Sequence, residues 1–382
     1  MIDRFEPYQR DLLRLWLPAA VAGLITWLIF VLVGETPLLR AAGLAAAVAG
    51  VALALRWMGW LLAIGGSLAL AFTPAFWTQT GGIVAEPATI VLALSAAAVI
   101  GIAAVGLSRR PYIALGVALA AFAVVFASQI GVARSLRLTL LAASWLIFLL
   151  TRAVLITNPR PDGPQPARLK AQYRAGILLT LAVGVINDPL FVLFIPAVAL
   201  AIGQSKTPIP WWYWALLVGL VLLGLFGLNS QYYHPRWWNA TVEQANRAVL
   251  RRDLPYLVLA GLRDGGRWLE LLIFVGRQFT VVGLLLSLLG LTRLARWYPV
   301  LGVTTMVAYA AFFLFGLAYY GPDRPILLIP MLMMQSMWIT YAVYALSEWL
   351  ERTVSPLNRR WVRAVSPVFY LGLPLLMLSN LP

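Results

Sequence analysis

Uninterrupted apolar runs of about twenty residues constrain this 382-residue chain more than any other feature. They fall at roughly 13–34, 40–56, 57–74, 86–107, 111–132, 137–157, 175–202, 210–229, 271–292, 298–319, 324–347 and 365–380. Blocks such as LLVGLVLLGLFGL do not alternate apolar with polar residues, so they do not read as the strands of a membrane β-barrel. Hydrophobic residues make up 62% of the chain and charged residues 11%, against about 45–50% and about 25% in soluble domains. An ordinary soluble enzyme, a disordered chain and a fibrous protein are thereby excluded. The expected fold class is all-α, a polytopic membrane protein forming one integral-membrane domain over residues 1–382.

The formal charge of +15 would suggest nucleic acid in a soluble domain. Here the basic residues lie between apolar runs, where they act as topology signals and lipid-headgroup contacts, and no nucleic-acid partner is expected. Cysteine is absent and His234 is the one histidine, which excludes disulfides, thiol chemistry and a metal site built from several histidines of this chain. The stretch from Leu15 to Val33 is too long for a signal-peptide core and reads as a retained first span.

One run is too long. Residues 175–202 would form a helix of about 42 Å, against a hydrocarbon core of about 30 Å. Asn187-Asp188-Pro189 lies near its middle, and a carboxylate and a missing backbone donor are both costly there. A break would give two short membrane helices with Asp188 at an aqueous edge. The positive charges support the break. With the N-terminus inside, and the long loop with its margin from Arg236 to Arg277 set aside, 18 of the remaining 22 Lys and Arg face inward and 4 outward. Without the break the division is 12 against 10. The expectation is therefore about thirteen membrane helices in the cell membrane, with the N-terminus cytoplasmic and the C-terminus outside.

This topology gathers acids on the outer face. Glu35, Glu86, Asp188 and Asp323 each occupy a different short outer connection. The long outer loop 230–270 adds Glu243, Asp253, Asp264, Glu270 and His234, and its stretch 241–263 is expected to form interfacial helices. Tyr232, Tyr233, Trp237 and Trp238 flank His234-Pro235-Arg236, either as an interfacial aromatic belt or as a platform for sugar or lipid.

Three stretches resemble the GT-C superfamily of integral-membrane glycosyltransferases, in particular its bacterial O-mannosyltransferase-like branch. Thr73-Pro74-Ala75-Phe76-Trp77-Thr78-Gln79 followed by Ala85-Glu86-Pro87 is similar to that branch's outer loop and the Glu that opens the next helix. Gly184-Val185-Ile186-Asn187-Asp188-Pro189, with Leu193-Phe194-Ile195-Pro196, is similar to its Gly-Leu…Pro helix pair. Tyr320-Gly321-Pro322-Asp323-Arg324, running into Leu327-Leu328-Ile329-Pro330, is similar to its late outer-loop Arg before a Pro-containing helix. The resemblance implies a polyprenyl-phosphate-linked sugar as donor and transfer on the outer face. It also assigns Arg324 to the donor phosphate, with Asp323, Asp188 and His234 as further substrate contacts.

The family's long acidic first loop is missing. Val33-Gly34-Glu35-Thr36-Pro37 leads almost directly into the second run. Glu35 alone occupies the place of the family's general base, and Glu86 is the second candidate. The chemistry needs a carboxylate to activate an acceptor hydroxyl, and cations or a divalent metal to stabilise the departing phosphate. Two other readings stay open: a scaffold that binds lipid-linked sugar without catalysis, alone or with other membrane proteins, and a transporter, since broken spans also occur there.

Overall fold

The computed structural model describes residues 7–36, 38–80, 136–157, 167–204, 208–227, 261–319, 324–353 and 359–379. Among them the chain is all helix and connecting turn, without strands. The helices, in order, are α1 (Pro7–Leu32), α2 (Leu38–Leu55), α3 (Trp60–Ala71), α4 (Pro74–Trp77), α5 (Leu136–Thr157), α6 (Ala167–Asn187), α7 (Ile195–Gly203), α8 (Trp211–Gly227), α9 (Gly265–Trp297), α10 (Pro299–Ala318), α11 (Arg324–Leu327), α12 (Ile329–Thr353) and α13 (Arg359–Ser379). Five stretches among the described residues are long and apolar enough to cross a membrane: Ala41–Met58, Leu138–Leu155, Gly265–Trp297, Pro299–Ala318 and Ile329–Thr353. Shorter apolar helices accompany them at Trp16–Leu32, Trp60–Ala71, Leu190–Gly203, Trp211–Gly224 and Pro367–Ser379. The chain is thus a multi-pass membrane protein in its dimensions and its surface.

The expected break at Asn187-Asp188-Pro189 is present, and it is a reversal. Helix α6 stops at Asn187, Asp188 adopts extended backbone, and a 3₁₀ turn over Pro189–Phe194 leads into α7. The path back is fixed by contacts at the far end. Arg174 near the start of α6 donates to the Pro208 carbonyl at 2.9 Å, and the Tyr213 hydroxyl donates to the Arg174 carbonyl at 3.1 Å. Helix α8 then returns, so that Gly224 lies against Val192 and Val185. Two antiparallel passes, α6 and α7, replace the single long run, and α8, the next expected run, makes a third.

The remaining helices sort onto the same two ends. At the Asp188 end, Phe30 packs on Trp77 at 5.4 Å, Gly34 meets Thr80, and Thr139 reaches Asp188. Arg267 donates there to the Leu317 carbonyl at 3.2 Å. At the opposite end Trp57 packs against Tyr298, Tyr341 and Tyr344, with ring centroids 5.1, 5.6 and 6.3 Å away. The expected runs at 86–107 and 111–132, and the part of the expected interfacial helices over 241–260, lie outside the described residues. One boundary differs from expectation: residues from Gly265 to Glu270, expected in the outer loop, are already the start of α9.

Helix α12 is the axis of the bundle. From Ile329 to Ala342 every residue is buried, which requires a helix with no solvent- or lipid-facing side. Apolar contact adds little between helices whose alternative neighbour is a lipid tail, so close packing and hydrogen bonds must hold α12. Hydrogen bonds to three neighbouring helices do so. Ser336 donates to the Gly66 carbonyl of α3 at 2.7 Å, Trp338 donates its indole N–H to Thr305 of α10 at 3.0 Å, and Thr340 shares a 2.9 Å hydrogen bond with Tyr370 of α13. Against α9 the approach is backbone to backbone. A β-carbon on Gly290 would collide with the Trp338 carbonyl oxygen and sit 2.6 Å from the carbonyl carbon.

That contact gives opposite outcomes for two glycines of one helix. A β-carbon on Gly276 would meet no atom within 4 Å, so Gly276→Ala should be neutral or stabilise by up to ~1 kcal/mol through helix propensity. Gly290→Ala should destabilise by about 1–3 kcal/mol, because α9 and α12 must separate. Thermal unfolding of the two variants in one detergent measures both signs.

Candidate functional site

The sequence-derived site residues divide sharply. Glu35, Asp188 and Arg324 lie at the Asp188 end of the bundle. Glu86, Asp323 and His234 fall outside the described residues.

The centre of this end is the turn that follows α3. Thr73 accepts a hydrogen bond from the Phe76 amide at 3.3 Å, with Pro74 at the first helical position, so the Thr-Pro pair starts the one-turn helix α4. Thr78 and Thr80 close the turn by donating to the Ala75 and Trp77 carbonyls, both at 2.7 Å. The Ala75 amide donates to the Gln278 side-chain oxygen at 2.9 Å, across 203 residues of sequence. Gln278 is 4% exposed and sits directly before an interruption of α9. Phe279 leaves the helical region, and Thr280 adopts φ 65° and ψ 170°, a conformation normally left to glycine. No proline or glycine marks the spot. The anchored glutamine and the strained threonine together turn α9 beneath α4.

Helix α11 packs against α4 and carries Arg324. The guanidinium is mostly buried, 16% exposed, and pairs with Glu270 of α9 at 3.5 Å. One turn earlier on α9, Arg267 pairs with Asp264 at 3.3 Å. Asp264 also caps the helix by accepting from the Gly266 amide at 2.9 Å. Two guanidiniums with two carboxylates thus ring the rim formed by α9, α10 and α11. Arg267, Glu270 and Gln278 were not among the sequence candidates. The sequence signal for Gln278 was an amide inside an apolar run, and for Arg267 and Glu270 it was charge at a helix start.

Glu35 closes α1. It is exposed and has φ 46°, which lets the Thr36 amide reach back to the Phe30 carbonyl at 3.0 Å. A non-glycine residue in this region costs on the order of 1 kcal/mol. Gly34 lies against Thr80, so the Glu35 connection borders the α4 turn.

Asp188 corrects an expectation. It was expected at an aqueous edge, but it is 1% exposed. The carboxylate is satisfied internally: Thr139 donates to one oxygen at 3.2 Å and the Leu190 amide to the other at 3.1 Å. Asn187 in turn donates to the Thr139 hydroxyl at 2.8 Å. The Leu190 bond is a local cap, but Thr139 lies 49 residues away, so the partner that lets the carboxylate be buried could not be read from local sequence. A small cavity beside Asp188 is lined by Thr139, Phe191, Phe312, Ile326, Leu327 and Pro330, which brings the end of α11 next to the break. Among the described residues no three of His, Asp and Glu gather into a group that could hold a metal ion.

No protein-family model matches the chain, and no curated protein or solved structure does.

The network around Asp188 makes its role measurable. Asp188→Ala should cost about 1–2 kcal/mol, because it removes the cap of the 3₁₀ turn and leaves the Thr139 hydroxyl buried without its acceptor. Asp188→Asn retains an acceptor oxygen and should lose less than half as much. Unfolding midpoints of the two variants in detergent test the order; equal losses would mean that the charge, not the cap, matters.

Proposed function

We propose that this chain is a GT-C-like membrane glycosyltransferase that moves a sugar from a polyprenyl-phosphate donor to an acceptor on the outer face of the cell membrane. The same proposal puts the N-terminus in the cytoplasm and the C-terminus outside, with about thirteen membrane segments. The charge distribution supports this orientation: Arg56, Arg174, Arg296 and Arg352 belong to the Trp57 end, while Arg267 and Arg324 at the other end are each paired with a carboxylate, Asp264 and Glu270.

The observation that carries the functional reading is the placement of Arg324. A mostly buried guanidinium is held against the α4 turn by α11, with the Glu270 carboxylate beside it and Arg267 one turn away. A guanidinium fork binds phosphate through two parallel hydrogen bonds, and partial burial strengthens that attraction. The reaction follows from these groups. An acceptor hydroxyl attacks the anomeric carbon as the sugar–phosphate oxygen bond breaks. Glu35 takes the hydroxyl proton, and Arg324 stabilises the charge left on the polyprenyl phosphate.

Two other readings have support of their own. Glu35 is exposed and its backbone is held at φ 46° as the cap of α1, a structural duty that favours a scaffold that binds donor without turning it over. The interruption of α9 at Phe279–Thr280 adds a second discontinuous helix to the break at Asp188, which favours a transporter.

Purified protein with a panel of polyprenyl-phosphate sugars separates the three. For the transferase, Glu35→Gln should lower transfer by about 10²-fold or more while donor binding persists. Arg324→Lys keeps the charge but loses the fork, so donor binding should weaken. Binding without turnover, unchanged by Glu35→Gln, would leave the scaffold. Sugar uptake into vesicles with no lipid-linked product would leave the transporter.

A further inference from the structure

A second small cavity lies inside the bundle, away from Arg324 and Glu35. Its walls include Ile147 and Thr151 of α5, Phe194 of the 3₁₀ turn, Thr304 and Thr305 of α10, and Met334 of α12. Three of these side chains are hydroxyls, in a region otherwise filled by apolar groups.

The three hydroxyls are not equivalent. Thr151 donates its proton to the Ile147 carbonyl at 2.7 Å, and Thr305 donates to the Leu301 and Gly302 carbonyls at 2.9 and 3.0 Å. Each has spent its one proton on its own helix and retains accepting capacity, Thr305 one lone pair beyond the one that takes the Trp338 indole N–H. Thr304 differs. It is 2% exposed, and its hydroxyl has no hydrogen-bond partner among the described residues. Gln335 on α12 is also fully buried with both amide atoms unpartnered among the described residues, but it does not line this cavity, so Thr304 alone supplies the orphaned group here. An unsatisfied hydroxyl in such a place bears an uncompensated desolvation cost. Orphaned polar groups beside a cavity mark the place of an ordered water.

We propose that this cavity is a binding site for a water molecule held by Thr304. The water accepts the Thr304 proton and donates to the remaining lone pairs of Thr151 and Thr305. No charged residue lines the cavity, so a metal cation would have no counter-charge there. Phe194 and Phe312, 5.0 Å apart edge to face, lie between this cavity and the one beside Asp188. The water is thereby separated from the bulk at that end of the bundle, and it ties α5 to α10 inside the bundle. It is held there whether or not the chain transfers sugar.

Met334 is a built-in reporter. Hydroxyl radicals generated by pulsed X-ray radiolysis of bound water oxidise a methionine in contact with that water. Met331 and Met333 are equally buried on the same helix but do not line the cavity. In the intact protein in nanodiscs, Met334 should be oxidised within the pulse, while Met331 and Met333 stay at background. Thr304→Val removes the hydroxyl at constant shape and should bring Met334 down to that background; Thr304→Ser should restore the labelling. Met334 oxidised no faster than Met331 and Met333 in the unsubstituted protein would overturn the proposal, and this arm does not depend on any variant folding. Labelling unchanged by Thr304→Val would equally overturn the assignment to Thr304.

Discussion

In hydrocarbon, a backbone group that leaves its helix must find another partner inside the protein. The rest of this fold depends on how that demand is met at Asn187-Asp188-Pro189. Pro189 has no amide to satisfy. Asp188 takes the Leu190 amide, and Thr139 takes a carboxylate oxygen, with Asn187 bound to Thr139 in turn. Once these bonds form, α6 can end and the chain can reverse within the bundle. Reversal sets the direction of every later helix, and with it the end to which Arg267, Glu270 and Arg324 belong. Deleting the turn would send each of them to the opposite end.

The same turn also explains why the candidate site is assembled from distant sequence. Helix α11 reaches the Asp188 cavity through Ile326 and Leu327 and also packs against α4. Helix α9 is tied to α4 through Gln278 and to α11 through Glu270. The break at Thr280 lets α9 lean so that both contacts form while its second half stays against α12 at Gly290. A straight helix of 33 residues would be about 50 Å long and could not follow both. The strain at Thr280 is therefore connected to the rim on which the two guanidiniums sit, and it is the kind of local cost that persists where the surroundings over-determine the backbone.

Much of the architecture was legible in the sequence, because it follows from length and charge. The excess length of 175–202, the proline and the distribution of Lys and Arg together located the reversal. The turn at Gly59, whose φ of 124° suits a residue without a side chain, falls inside the expected run 57–74 and shortens it to α3. The site was legible only in part. Arg324 stood out as a cation before a Pro-containing helix, but its partner Glu270 lies 54 residues earlier in the chain. The burial of Asp188 depends on Thr139, and the anchoring of α4 depends on Gln278. Neither link has a local signature, since each is a single hydrogen bond between helices far apart in sequence. The kink at Phe279–Thr280 was invisible for a different reason: Phe and Thr are ordinary residues in a membrane helix, and only tertiary contacts force them out of it.

Because the chain reverses at Asp188, Glu35 before the turn and Asp264 after it share one side of the membrane. The absence of native cysteine makes this directly measurable. Glu35→Cys and Asp264→Cys, each as a single cysteine, can be treated on intact cells with a membrane-impermeant thiol reagent, with Arg352→Cys as the opposite-side control. Both side chains at the Asp188 end should label from outside, and position 352 only after permeabilisation. Glu35 and Asp264 labelling from opposite sides would contradict the reversal, and with it the grouping of Glu35 and Arg324 into one site.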